Sequence, residues 1–436
     1  MMHNLVLADV VNSAAIGHEG RNTTSGLHTE HWGSGGPGHD ERSAWMETDK
    51  IMFARRALLS SIFGAGCGAA LVAPALVAPA WADVAQYPQL ADPAIPVRNL
   101  TRLYFVAGAS AGSRVFAGGQ EGVIIYSDDK GQTWAQANVP VSATITSIAF
   151  ASPKVGWATG ALGVILKTED GGKSWVKQLD GIAEIALMNS TTQAYDAAEQ
   201  ADQAKQKPNS DAANADADAI DRANRRQQIL AGQGPDKAFL SLLPVSETEV
   251  FAFGAYRFAE YSTDGGKTWA DWSMHIGDEK SQNIYGAAAI GGAFYLTSET
   301  GLIFRSTDGG QSFTQLAQPG NATFFGIMDT GAGGLLAYGV AGEMYLSTDQ
   351  GKSWNQPNFT GTSNVNSVVA LPDSGLLVAG DAGGGLWISK DHGNSFILAN
   401  RNPIMSINAL LATGPTSFLI LSGVGVFPVD LSKMGG

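Results

Sequence analysis

Between residues 145 and 176 apolar and polar side chains alternate in four short runs, at 145–150, 155–160, 164–168 and 174–176. Runs with a period of two, each bounded by Gly, Asp or Pro, predict four short β-strands joined by tight turns. The cadence returns downstream, where LIFRS at 302–306 and MYLS at 344–347 each lead into a similar turn. Each unit closes on one octapeptide, written six times: SDDKGQTW, TEDGGKSW, STDGGKTW, STDGGQSF, STDQGKSW and SKDHGNSF. A hydroxyl opens each copy (Ser127, Thr168, Ser262, Ser306, Ser347, Ser389) and an acid follows (Asp129, Asp170, Asp264, Asp308, Asp349, Asp391). A glycine comes next (Gly131, Gly172, Gly266, Gly310, Gly351, Gly393), and an aromatic closes it (Trp134, Trp175, Trp269, Phe313, Trp354, Phe396).

The closing aromatics are separated by 41, 94, 44, 41 and 42 residues. A period near 42 is the length of one four-stranded propeller blade. Six motifs give six blades, and strand-like runs at 406–411, 417–421 and 425–429 supply three strands of a seventh. The missing fourth strand is expected from the chain start, around residues 87–100, because pairing start with end closes the ring and removes an exposed sheet edge. The expectation is therefore an all-β, seven-bladed propeller spanning 83–436.

The long gap places an insertion between the second and third blades, at 189–236, rich in Ala, Asp and Gln and interrupted at Pro208. Ser210 and Asp211 offer an N-cap and Gly232 a stop, so two helices are expected. Such a connection emerges opposite the octapeptides, so the helices would overhang the mouth of the ring as a docking element or a solvated decoration.

The octapeptide itself reads as a joint. The acid can accept hydrogen bonds from the amides of its own turn, the hydroxyl adds another polar group, and the glycine supplies a positive φ. The aromatic then buries its ring between strands.

Composition narrows the function. With 54 glycines, 15% charged and 44% hydrophobic residues, the chain is a Gly-punctuated globular protein. A net charge of -13 argues against a nucleic-acid partner. Residues 1–51 are polar and rich in Gly and His, and precede MFARRALLSSIFGAGCGAALVAPALVAPAWAD, so translation is expected to begin at Met52. Residues 52–82 have the form of an export signal, with Arg55 and Arg56 before an apolar run that ends at Ala80-Trp81-Ala82. Cleavage between Ala82 and Asp83 would deliver the protein to the periplasm or outside the cell. Cys67 suggests a lipid anchor, but Gly64 stands where an aliphatic residue is needed, so it reads as a small residue of the signal. The mature chain then retains His275 and His392 and no thiol, which leaves no metal site or cofactor to expect.

Ser/Thr-x-Asp-x-Gly-x-x-Trp/Phe resembles the Asp-box, or bacterial neuraminidase repeat. Sialidases, the enzymes best known for it, need three converging arginines, a Tyr nucleophile paired with a Glu, and an acid/base Asp. The arginines after the signal are Arg98, Arg102, Arg114, Arg222, Arg225, Arg226, Arg257, Arg305 and Arg401, three of them in the insertion. No catalytic set emerges, and the chain is expected not to be an enzyme; a sialidase-like hydrolase or glycan binder is the alternative.

The loops between second and third strands are short: GGQEG at 118, GALG at 160, GAYR at 254, SETG at 298, GVAGE at 339 and GDAG at 380. Glu121, Glu299, Glu343 and Asp381, with Tyr256 and Arg257, are candidates for a binding rim, and Arg305 for a basic patch. GWATGALGVILKT at 156–168 is similar to the photosystem II stability/assembly factor family, and the likeness extends from Asp83 to about Asp430 apart from the insertion. That resemblance implies a non-catalytic, exported scaffold, monomeric, that helps a membrane or envelope complex assemble or work. Photosynthetic members use an arginine-rich patch on a reaction-centre precursor; this chain is acidic, and Arg257 and Arg305 are its only plausible members of such a patch. Relatives in other bacteria imply a resistance-nodulation-division exporter as partner.

Overall fold

A computed structural model describes residues 86–188, 234–277, 282–331, 333–399 and 406–433. The expected export signal at 52–82 and the expected upstream extension at 1–51 lie outside the described residues, as does most of the expected insertion. The described chain forms seven antiparallel sheets in which every strand pairs with its neighbour in sequence. The first blade is β1 (Phe105–Ala111), β2 (Arg114–Gly119), β3 (Ile124–Ser127) and β4 (Ala135–Gln136), and the second is β5 (Ile145–Phe150), β6 (Gly156–Gly160), β7 (Ile165–Thr168) and β8 (Val176–Leu179). Blade three comprises β9 (Phe239–Pro244), β10 (Val250–Gly254), β11 (Ala259–Ser262) and β12 (Ala270–Asp271). Blade four comprises β13 (Ile284–Ile290), β14 (Ala293–Ser298), β15 (Ile303–Ser306) and β16 (Thr314–Gln315).

In blade five, β17 (Phe324–Asp329), β18 (Leu335–Gly339) and β19 (Met344–Ser347) gain their fourth member as a single bridge, where Leu346 and Asn355 exchange backbone bonds of 2.8 and 2.9 Å. Blade six is β20 (Val365–Ala370), β21 (Leu377–Asp381), β22 (Leu386–Ser389) and β23 (Ile397–Leu398), and blade seven holds β24 (Ile407–Ala412), β25 (Ser417–Ser422) and β26 (Gly425–Asp430). The first strands pack in succession around the ring, β5 beside β1 and so on to β24, which returns to β1. The expected seven-bladed, all-β propeller is the observed fold.

Closure is carried by side chains as well as strands. Every first strand slips register near its start, and the extra residue is turned off the ladder. Three of these residues reach the next blade. Asn366 donates to the Ile407 carbonyl at 2.8 Å, Asn408 to the Phe105 carbonyl at 2.7 Å, and Thr146 to the Phe239 carbonyl. Asn408 joins the last blade to the first while itself buried. Asn408→Ala should therefore cost about 1–3 kcal/mol in urea unfolding, the penalty for stranding a buried carbonyl.

The segment expected to complete blade seven begins elsewhere in the ring. It forms a 3-10 turn at Pro88–Leu90, receives Lys177 Nζ on the Leu90 carbonyl at 2.8 Å, and binds Val139 from Ala94 at 3.0 Å. Val97, Leu100 and Leu103 then pack against Leu411, Leu419, Leu421 and Val426. One residue past the expected stretch, the Thr101 carbonyl accepts the Val426 N–H of β26 at 3.0 Å. Two residues farther along the same edge stands Pro428, which has no N–H to offer a further strand.

At the third octapeptide, Asp264 Oδ1 accepts the amides of Lys267 and Thr268 at 3.0 Å each, and Oδ2 accepts the Thr268 hydroxyl at 2.7 Å. Ser262 Oγ donates to Asp264 at 2.9 Å and accepts the Gly266 N–H at 2.8 Å. Gly266 sits at φ +82, and a Cβ there would strike the Gln178 side chain of blade two. The other five copies repeat the hydroxyl–acid and hydroxyl–glycine bonds. A parallel bridge adds a backbone tie at alternate joints, Asn138 to Ser174, Ile276 to Phe313 and Asn358 to Ser395, a two-blade rhythm that the motif spelling does not announce.

Candidate functional site

One end of the ring is built from the turns between second and third strands. Five are 3-10 turns, at Gln120–Gly122, Ala161–Gly163, Ala255–Arg257, Glu299–Gly301 and Val340–Gly342. Their middle residues (Glu121, Leu162, Tyr256, Thr300 and Ala341) all have φ between 53 and 59. Side chains other than Gly enter that region at a cost of about 1–3 kcal/mol each, which the surrounding bonds must offset. The first residue of a turn donates to the backbone just ahead of the blade's own inner strand, as Ala161 does to Thr144 at 2.9 Å and Ala255 to Ala238 at 2.9 Å. The octapeptides follow the far ends of the third strands and occupy the opposite end.

The sequence candidates divide between these two ends and the interior. Glu121 is exposed at its turn tip, and Tyr256, Glu299 and Glu343 are half-buried on the same end. Asp381 leaves the rim: it is buried, its Oδ1 accepts the Gly385 N–H at 2.8 Å, and its Oδ2 accepts Trp387 Nε1–H at 2.8 Å. Those bonds make it the anchor of its own turn. Arg257 is buried as well. Arg305 lies at the octapeptide end, donating to Gln350 Oε1 in the turn of blade five at 2.8 Å, with its guanidinium 5.9 Å from the Tyr295 ring. A joint basic patch of Arg257 and Arg305 is thereby excluded, because the length of a blade separates them.

The residues that do converge form a polar chain between blades three and four. The Tyr256 N–H donates to Asn283 Oδ1 at 2.8 Å, and Asn283 Nδ2 donates to Glu299 Oε1 at 2.7 Å. The Tyr285 hydroxyl donates to the same carboxylate oxygen at 3.3 Å and stacks edge-on with Phe325 at 5.6 Å between centroids. Tyr285 and Phe325 are the register-slip residues of their inner strands, so the device that ties other blades together here presents aromatic rings. Lys237 is buried against Asp236 and lies 5.6 Å from the Tyr256 ring. Neither Asn283 nor Tyr285 was singled out from sequence. The available signal was positional: Asn364, which likewise precedes an inner strand by one residue, accepts the Ala341 N–H at 2.9 Å.

The electrostatics of this chain favour holding over reacting. Burial pushes the Tyr285 hydroxyl up to about 12; Asn283 pulls the other way, and the Glu299 carboxylate adds to the rise. Burial also raises Tyr256, helped by Asp236 and Glu299. A tyrosine nucleophile needs the opposite shift. Among the described residues no group of three His, Cys, Asp or Glu is placed to hold a metal ion, and no helix is long and apolar enough to cross a membrane.

Comparison with known proteins agrees with this architecture. Residues 126–196 match the family model described as photosynthesis system II assembly factor YCF48, and residues 260–271 match the BNR/Asp-box repeat. Photosystem II assembly lipoprotein Ycf48 of Synechococcus sp. (strain CC9902) is 29% identical over 108 residues, covering 24% of this chain and 32% of that protein. The match thus spans about a third of the relative's length. A solved structure of YCF48 bound to D1 peptide superposes with a TM-score of 0.53 at 13% identity, covering 78% of this chain and 99% of that one. YCF48 from Cyanidioschyzon merolae gives 0.52 at 12% identity, covering 77% and 97%. The GH74 enzyme of Niastella koreensis gives 0.52 at 14% identity, covering 76% and 53%. At these identities the superpositions speak for the fold.

Proposed function

We propose that this chain, a photosystem II assembly factor-like β-propeller of Asp-box repeats, is a non-catalytic scaffold that docks a protein segment on the end of the ring carrying Tyr256, Asn283, Glu299 and Tyr285. The observation that carries the reading is this polar chain. It joins two blades at the open turns, whereas the repeated acids are consumed in their own hairpins at the other end. A YCF48 structure holds a D1 peptide, which supports a peptide-sized partner for a propeller of this kind. The finer reading is export to the periplasm and service to a membrane or envelope complex, with a resistance-nodulation-division exporter as one partner class. The related Ycf48 is named a lipoprotein, which supports export.

The Tyr285–Glu299 contact is also what a sialidase-like hydrolase would need, and it is the one observation favouring that second reading. The raised tyrosine weighs against it. The discriminating experiment captures partners from solubilised envelope with the mature protein and with Glu299→Lys. The scaffold reading expects one identified integral-membrane protein to be lost with the variant while its circular dichroism spectrum shows the ring still folded. Hydrolysis of a fluorogenic sialoside that disappears in Tyr285→Phe would reverse the assignment.

A further inference from the structure

In blades four and five the charges are sorted by end. Among the described residues of these blades the only Lys or Arg are Arg305 and Lys352, both at the octapeptide end, while Glu299 and Glu343 stand at the other. Glu299 is fixed in one orientation. Its Oε1 accepts the Asn283 amide at 2.7 Å and the Tyr285 hydroxyl at 3.3 Å, and Asn283 Nδ2 also reaches that hydroxyl at 3.2 Å. Its Oε2 receives no donor among the described residues, although the side chain is half-buried. Blade three supplies no cation either, because Lys237 is engaged by Asp236 and Arg257 is buried and already partnered.

The inner strands show why this sector is open. Thr146, Asn366 and Asn408, the extra residues of β5, β20 and β24, are each spent on a carbonyl of the adjoining blade. Tyr285 and Phe325 hold the same position in β13 and β17. The Tyr285 hydroxyl turns back to Glu299 of its own blade, and Phe325 has no polar group to give. Two half-buried rings, 5.6 Å apart and at 72° to each other, thus adjoin a carboxylate with an unused oxygen.

We propose that this corner recognises a basic side chain, Arg or Lys, of the docked segment, its cation on Glu299 Oε2 and its stem across the Tyr285 and Phe325 rings. The inference rests on the docking reading above and adds the chemistry of the partner.

A basic side chain answers each feature. Its N–H groups are the donors that Oε2 lacks, and a charge-assisted bond of this kind is about twice as strong as a neutral one. Faces of Tyr and Phe attract a cation that comes within about 6 Å of the ring centroid. The apolar stem covers ring surface while the head stays polar. The other classes of segment fit worse. An apolar one would cover the carboxylate without giving it a donor, and an acidic one would meet two like charges. Glu343, on the turn of the next blade, accepts Gln356 Nε2 at 3.2 Å and repeats the sign.

The test pans phage-displayed random dodecapeptides on the immobilised mature protein at about 0.15 M salt, where charges more than about 8 Å apart are largely screened. Selected peptides should share one Arg or Lys position. In fluorescence anisotropy, replacing that residue by Met should weaken binding to the parent about tenfold or more. The same replacement should cost about threefold or less against Glu299→Gln, because the two changes remove one contact. Phe325→Leu takes away a ring and should itself weaken the basic peptide, which keeps the test open should Glu299→Gln fold poorly. Glu169→Gln, exposed at the octapeptide end, should bind as the parent does and controls for the overall negative charge. Selected peptides without a shared basic residue, or a Met replacement equally costly in parent and Glu299→Gln, would overturn this inference and leave the docking reading standing. Selection of no peptide at all would overturn the docking reading and this inference with it.

Discussion

Trp269→Ala lowers the free energy of unfolding by about 3–5 kcal/mol, the range for truncating a buried aromatic. The indole is 8% exposed and packs in the apolar cluster that joins blades two and three, with Trp157, Leu179 and Phe239. Its Nε1–H donates to the Gly266 carbonyl at 3.1 Å, so truncation also strips a bond from the turn. The loss therefore falls on a seam between sheets and opens a cavity that two packed blades cannot both relax into. Trp134, the same motif position in blade one, is only half-buried, and its alanine variant should lose less. Urea unfolding of both variants checks the order. A Trp269→Ala midpoint indistinguishable from that of the parent would mean that the motif is not a joint.

Much of the architecture was legible because blade and period coincide. Strands expected at 145–150, 155–160 and 164–168 are found at Ile145–Phe150, Gly156–Gly160 and Ile165–Thr168, and the last blade's three strands lie where turn residues punctuate 406–429. The fourth strand of blade two was expected from residue 174 but starts at Val176, because the Trp175 N–H is taken by the Asn138 carbonyl of blade one at 2.9 Å. Ties of that kind run between blades and leave no mark on a period-two pattern. The same limit hid the site. Nothing in GDAG or GAYR tells whether an acid or arginine points outward, and Asp381 and Arg257 both turned in. Glu260 sits in a run that reads as half-exposed, yet both faces of a blade are covered by neighbouring blades, so a polar position there is a buried one. The expected insertion began at Asn189, whereas helix is already present at 181–188; residues 189–233 lie outside the described ones.

Acid is the condition under which the ring should fail, and the six motif aspartates set the window. Hydroxyl and amide donors, led by the Thr133 hydroxyl at one and the Ser353 hydroxyl at the other, lower Asp129 and Asp349 to about 2. Asp391 is lowered chiefly by the Ser395 hydroxyl. For Asp170, Asp264 and Asp308 burial is the largest influence and pushes upward, but the donors of Ser174, Thr268 and Ser312, with the motif hydroxyls, together prevail. A carboxylate with a depressed folded pKa contributes stability that is complete above its unfolded value of 3.8 and is lost as pH falls through the folded one. All six shifts have the same sign, so the losses accumulate between about pH 4 and pH 2. The melting temperature should therefore hold through mild acid and then drop steeply. Thermal melts followed by tryptophan fluorescence across that range read the drop. Asp264→Asn, which keeps the size but cannot be a charged acceptor, should lower the midpoint at neutral pH and bring it close to that of the parent near pH 2. A parent midpoint that stays level from about pH 5 down to pH 2.5 would show that the acids do not lock the hairpins.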